Sequence, residues 1–170
     1  MAKSIQWFAV ASDRAAEIAK QIGQANLELI QVVRGCSEEQ WRTLCNDEGD
    51  NRTVGVIAHH VAHTHVLNED WLDTALSGAE VAITMDAMNV INAEHSATFH
   101  DVAREETIEL LEANGAHFVA RVGVLEDQEL ARVAYHRGAG REMTVEQYAF
   151  LDYRHVAGHL ATIRKALDPD

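Results

Sequence analysis

The sequence predicts an all-α protein, a four-helix bundle read as up-up-down-down with a long crossover connection. Three observations predict it. Apolar residues recur at three- and four-residue steps through four long stretches. The one proline, Pro169, stands at the far end, so no earlier residue is barred from a helix interior. No stretch shows a convincing strand pattern, and there is neither an internal repeat nor a low-complexity tract. At 170 residues the chain suits one domain, taken as 1–170, and its 47% hydrophobic content fills a sizeable core.

The first stripe runs Ile5, Phe8, Ala9, Ala15, Ile18, Ile22, Leu29, Val32 and Val33, interrupted by Gly23 and stopped at Gly35. A polar, acidic stretch follows from Cys36 to Arg52. Within it Ser37 can cap a short turn over Glu38–Leu44 anchored by Trp41, and Asp47, Glu48, Gly49 and Asp50 read as a loop. Thr53 is the candidate N-cap of the second long helix, whose stripe is Val56, Ile57, His60, Val61, Thr64, Leu67, Trp71, Leu72 and Leu76. Ser77-Gly78 ends it. Thr84 to Phe99 is a weaker helix inside the crossover, Ser77–Asp101. Asp101 is then expected to cap a third long helix, with Glu105 and Glu106 in its first turn and Ile108, Leu111, Phe118, Val119 and Val122 buried. Gly138-Ala-Gly140 reads as a loop. Thr144 and Gln147 form a capping box for the last helix, along which Val145, Tyr148, Leu151, His155, His159 and Ile163 share one broad side.

Charge and cysteine content set limits. With 14 Lys plus Arg against 27 Asp plus Glu, the net charge is 14 − 27 = −13, which argues against nucleic acid or an anionic membrane as partner. The apolar run near Met1 is too short for a signal-peptide core, and no stretch approaches a bilayer span. Cys36 and Cys45 form neither a disulfide framework nor a paired zinc motif, and the Asn51-Arg52-Thr53 sequon means nothing without secretion. A reduced, cytoplasmic protein is the simplest expectation.

Ten histidines are many for this length, and four of them fall between His59 and His65. His155 and His159 lie one helical turn apart on the inward side of the last helix, a spacing that lets two ring nitrogens reach one divalent cation. Two unpaired imidazoles in an apolar interior would be costly, and a metal turns that cost into coordination. His60 shares the inward stripe of the second helix and supplies a third ligand. His59 and His63 pair on a neighbouring side and His65 lies farther round, so these three are expected to be a solvated flank; a second site at His59 and His63 is the alternative. Gly158, between the paired histidines, is expected to make room for a ligand or a neighbouring helix. Asp152 is a candidate acceptor for an imidazole N–H, the alternative being an ordinary exposed acid. Asn68, Glu69 and Asp70 could line the mouth of the site.

Other chemistries are excluded by pattern. There is no His-Glu-x-x-His, no Glu-x-x-His pair for a di-iron centre, and no Gly-x-Ser-x-Gly elbow. Gly138-x-Gly140 lacks the third glycine of a dinucleotide loop, position 143 being Met143, and neither cysteine neighbours an obvious histidine base.

Thr53-Val-Gly-Val-Ile-Ala-His-His60-Val-Ala62 is similar to the second-helix motif of the DinB-like superfamily. His155-x-x-x-His159-x-x-x-Ile163, preceded by Gly140-Arg-Glu-Met-Thr144, resembles that family's closing helix. Trp41 and the acidic loop before Thr53 also resemble the segment leading into the second helix. The resemblance implies the bundle fold, a three-histidine metal site and a homodimer. The ligands it implies are His60, His155 and His159, with His60 preferred over His59 because Val61-Ala62 matches the Leu-Ala that follows the family's ligand. The family's Gly-Gln after the last histidine is here Ala161 and Thr162. Its members include thiol-dependent isomerases and S-transferases that use mycothiol or bacillithiol.

Three neutral imidazoles leave a cation its full charge and an open position, which can lower the pKa of water or hold a thiolate. Zinc or nickel is expected first, iron or manganese next. The expected function is a metal-dependent enzyme acting on a small molecule, either a hydrolase or a thiol-linked transferase or isomerase with a low-molecular-weight thiol as co-substrate. The rival is a noncatalytic metal-binding or stress-response bundle. A pH sensor is the third reading, since protonating all ten histidines would move the charge from −13 to −3.

Overall fold

The computed structural model describes residues 11–45 and 52–168. The elements are α1 (Asp13–Arg34), α2 (Glu38–Trp41), α3 (Val54–Leu76), α4 (Met85–Thr98), α5 (Arg104–Gly123), α6 (Asp127–Leu130), β1 (Val133–His136), β2 (Arg141–Thr144) and α7 (Val145–Leu167). Ile5, Phe8 and Ala9 of the first stripe, the Asp47–Asp50 loop, Asn51 and Pro169 lie outside the described residues.

Most helix starts follow from capping. Ser12 accepts from the N–H groups of Arg14 and Ala15, Thr53 from Val56, and Thr84 from Ala87. Ser37 with Gln40, and Thr144 with Gln147, close full capping boxes. The third long helix departs from expectation: it starts after Ala103, with no side-chain cap, and Asp101 stands outside it. Glu105 and Glu106 still place negative charge on its first turn. Trp41 anchors α2 as expected. Its indole is buried, donates Nε1–H to the Val102 carbonyl at 2.9 Å and lies against Gly55, where a Cβ would sit 2.6 Å from Cε2.

The four long helices form the bundle, α1 and α3 each packing on both α5 and α7. Pairings along the helices fix their directions. Arg14 pairs with Glu146 and Glu28 with Arg164, so α1 and α7 are parallel. Glu69 meets His117 and Asp73 meets Arg121, so α3 and α5 are parallel. Arg34 near the end of α1 meets Glu112 early in α5, so those two are antiparallel. The order is therefore up-down-down-up rather than up-up-down-down. The reason is the placement of the crossover. Up-up-down-down needs direction-preserving connections after the first and third long helices, whereas here the crossover joins the second and third and carries α4.

A second correction concerns strands. β1 and β2 form an antiparallel hairpin, registered from Val133↔Thr144 to His136↔Arg141, with Gly140 at φ 64 in its turn. Its alternation of exposed and buried residues lasts only four positions, too few to stand out as a period.

Two apolar clusters fill the bundle. One gathers Ile18, Ile22, Leu72, Phe118 and Tyr148; the other gathers Leu29, Val33, Ile57, Leu111, Val156 and Ile163. Between them lies a buried polar layer of Asn26, His65, Asn68 and Asp152. Among the described residues, no helix is long and apolar enough to cross a membrane.

Candidate metal centre

His60 sits two turns into α3, a position set by the Thr53 cap, while His155 and His159 leave successive turns of α7. The antiparallel contact of α3 with α7 brings the three rings together. His60 Nε2 lies 3.0 Å from His155 Nε2, which lies 3.2 Å from His159 Nε2. The three ligand atoms all fall within 4.8 Å of one another. Of the sequence-predicted set, these three residues are the ones the fold assembles.

The donor set fits a divalent ion. Four-coordinate ligation at about 2.0–2.1 Å per Zn–N bond separates ligand nitrogens by about 3.3 Å, close to the spacing observed. Without an ion the arrangement is poorly satisfied. A hydrogen bond between two imidazoles needs one N–H and one lone pair, and His155 Nε2 faces two neighbours at once. Its other nitrogen, Nδ1, is buried with no partner. Burial pushes the His155 and His60 pKa values far down, and the neighbouring imidazoles push in the same direction. His60 and His155 are therefore neutral and ready to donate lone pairs at physiological pH.

The flanking histidines correct the expectation of a solvated face. Only His63 of the three is exposed. His59 is buried, its Nδ1 2.8 Å from His95 Nε2 and its ring stacked on Phe99 at 4.2 Å. His65 is 1% exposed. Its Nδ1–H donates to both Asp152 oxygens at 3.0 Å, and its Nε2 lies 3.3 Å from Asn26 Oδ1. Asp152 is thus neither an exposed acid nor a partner of His155; it serves His65 and also accepts from Asn68 Nδ2 at 2.8 Å. Both His59 and His65 stand on α3, which other elements cover nearly all round, so distance from the apolar stripe does not mean contact with water. Among the described residues, the only group of three or more such side chains placed to hold a metal is His60, His155 and His159.

Asn68 lines a cavity of about 450 Å³ together with His60 and His155, but Glu69 pairs with His117 and Asp70 is exposed. Gly158 makes room for nothing: a Cβ there would meet open space. Cys36 and Cys45 are buried and outside the cavity lining. Three features of the region escaped sequence reasoning. His95, buried on α4, has its pKa lowered to about 4 by burial and by the like charges of His59 and His63. His136 of the hairpin stacks on Tyr148 and faces the cavity, its Nδ1 accepting from the Ala139 N–H. Arg141 and Arg154 stand in the cavity wall. No spacing signal marks these residues: α4 and the hairpin bring in His95, His136 and Arg141 from separate connections, and Arg154 is one of the arginines on α7.

No family model and no curated protein matches this chain. Two solved structures do. One is YfiT from Bacillus subtilis, described as a probable metal-dependent hydrolase with an unusual four-helix bundle topology. It is 19% identical, with a TM-score of 0.75, covering 98% of this chain and 93% of YfiT. The other is an uncharacterised protein from Clostridium difficile 630, 14% identical, with a TM-score of 0.70, covering 92% of this chain and 96% of that one. Likeness at these identities is a likeness of fold: this chain shares the four-helix bundle of YfiT.

Proposed function

We propose that His60, His155 and His159 bind a divalent metal ion, zinc or nickel foremost, and that the protein is a metal-dependent enzyme acting on a small molecule. The observation that carries this reading is the convergence of three Nε2 atoms on residues of which two, His60 and His155, also line a cavity of about 450 Å³. A merely structural ion needs no cavity beside it; a catalytic one does. The likeness to YfiT, described as a probable metal-dependent hydrolase, supports hydrolysis as the first reaction class.

When bound, the ion supplies Lewis acidity and lowers the pKa of a water or thiol reaching its open position. The chain's own residues do the rest. His60, His155 and His159 present ring nitrogens towards one point, and burial keeps those of His60 and His155 neutral. Leu67, Trp71 and Leu151 give the cavity an apolar wall, and Asn68 orients its amide towards Asp152 at the inner wall. His136, kept neutral by burial, carries its remaining proton on Nε2, because Nδ1 accepts from Ala139. Thiol-linked transfer at the same site would use a thiol from outside the chain, since neither cysteine lines the cavity.

Metal content per chain, measured after purification and after supplying zinc or nickel, is the direct test. About one ion per chain is expected. His155→Ala should lower affinity by at least about a hundredfold, since even partners of ligands cost 10–100-fold when removed. A wild-type protein that takes up neither ion overturns the reading. Ester and amide hydrolysis, assayed beside thiol conjugation with and without chelator, separates the two reaction classes.

A further inference from the structure

The cavity beside the three histidines differs in charge from the rest of the molecule. The chain carries 27 Asp plus Glu, yet among the described residues no carboxylate lines this cavity, while two arginines, Arg141 and Arg154, do. These arginines are also exceptional among their kind. Seven described arginines are ion-paired with carboxylates, and Arg132 donates to the Leu76 carbonyl at 2.8 Å. Arg141 and Arg154 have no such partner among the described residues. Glu146, which shares an adjacent cleft with both, is engaged by Arg14 at 2.7 Å. In a protein of net charge −13, two guanidinium groups without a carboxylate at one cavity make a site for an anion brought from outside.

The remaining wall is apolar and adaptable. Met85, Met88 and Met143, three of the four methionines in the chain, line it with Ile91. Methionine is flexible and polarizable, so such a wall accepts apolar bodies of varied shape. At about 450 Å³ the cavity falls within the range that holds small organic ligands.

We propose that the substrate is an amphiphilic anion: an apolar body seated on the methionine wall, carrying an oxyanion group, carboxylate or phosphate, bound by Arg141 and Arg154. Arg141 comes from the hairpin and Arg154 from α7, one residue before His155. The anion is thereby held at one side of the cavity while His60 and His155 stand in its wall. The two arginines are binding and positioning residues, and they set specificity. This inference rests on reading the cavity as the substrate site of the proposed metal enzyme, but its test does not need the metal.

The probes are octanoate, octyl phosphate and 1-octanol, titrated calorimetrically into chelator-treated and zinc-supplied full-length protein. Octanoate or octyl phosphate should bind metal-free protein about tenfold more tightly than octanol, and whichever anion binds better identifies the oxyanion. Arg141→Gln and Arg154→Gln should each weaken the anion by about threefold to fivefold, as expected for solvent-accessible ion pairs. Unchanged octanol binding in both variants shows that the cavity is intact. Equal affinity for anion and alcohol, anion binding indifferent to both substitutions, or no saturable binding of any probe into the millimolar range overturns the inference. Failure of the metal reading looks different: the anion is still preferred, but no zinc is taken up.

Discussion

Asp152 is fully buried on α7, and its carboxylate is surrounded by donors from α3. The His65 Nδ1–H reaches both oxygens at 3.0 Å, and Asn68 Nδ2 donates at 2.8 Å. Asn26, whose own Nδ2 donates to the Leu111 carbonyl at 2.8 Å, ties the layer to α1 and α5. A buried polar group without partners costs more than the bond it lost, so removing this carboxylate strands His65 and Asn68 together. Asp152→Ala should therefore lower unfolding free energy by about 3–5 kcal/mol, read from the midpoint of a urea transition. Zinc stoichiometry in the molecules that still fold should not change, because Asp152 touches His65 rather than a converging histidine. A lost metal site in a folded Asp152→Ala protein would instead place the carboxylate in the metal's support. Neither partner was legible as such. A lone Asp early in a helix and a histidine off the apolar stripe look like surface residues until the four long helices pack together around them.

Glycine separates what helix propensity decides from what packing decides. Gly158 is exposed on α7 with open space where a Cβ would go. Gly158→Ala should raise stability by about 0.5–1 kcal/mol, the helix-interior difference between the two residues, seen as a higher melting temperature with unchanged zinc affinity. Gly55 has the same local preference but faces Trp41, whose Cε2 would lie 2.6 Å from an added methyl. Gly55→Ala should cost about 1–3 kcal/mol despite the propensity gain, since the indole and its bond to the Val102 carbonyl must shift. If both substitutions stabilise, the Trp41–Gly55 contact is not as close as described. The same division explains what was legible at this scale. Caps and 3.6-residue stripes reveal the four long helices, and the crossover fell where it was expected. The helix directions depended on which two helices that crossover joins. The hairpin, with four residues per strand, was below the length at which alternation speaks. Of the site, the histidine triad was legible because i, i+4 spacing and an inward stripe are local features. His95, His136, Arg141 and Arg154 reach the region through tertiary contacts that no local pattern encodes.

Across the whole molecule, histidine burial couples stability to pH. His59, His60, His95, His136 and His155 all have pKa values below the ordinary value, burial being the largest cause for each, and His95 is lowered to about 4. In the unfolded chain they return to about 6.5. Above that pH they are neutral in both states and contribute nothing to the pH dependence. Below it the unfolded chain binds more protons than the folded one, so stability falls as pH falls, by up to about 1.4 kcal/mol per pH unit for each histidine held neutral. For His95 the loss continues to about pH 4, where the folded state also accepts the proton. Metal-free protein should thus begin to lose unfolding free energy near pH 6.5, well before most carboxylates titrate, with a slope steeper than a single proton. Zinc adds stability because only the folded chain assembles the three Nε2 atoms, about 2.7 kcal/mol at a hundredfold excess over Kd. His60 and His155 stay neutral in the folded metal-free chain, so protons do not compete for their lone pairs and the zinc increment should persist as pH falls below 6.5. Urea titrations between pH 8 and pH 5, with chelator or with zinc, measure both effects. A metal-free curve flat from pH 7 to pH 5 would mean that these imidazoles are not held neutral by burial.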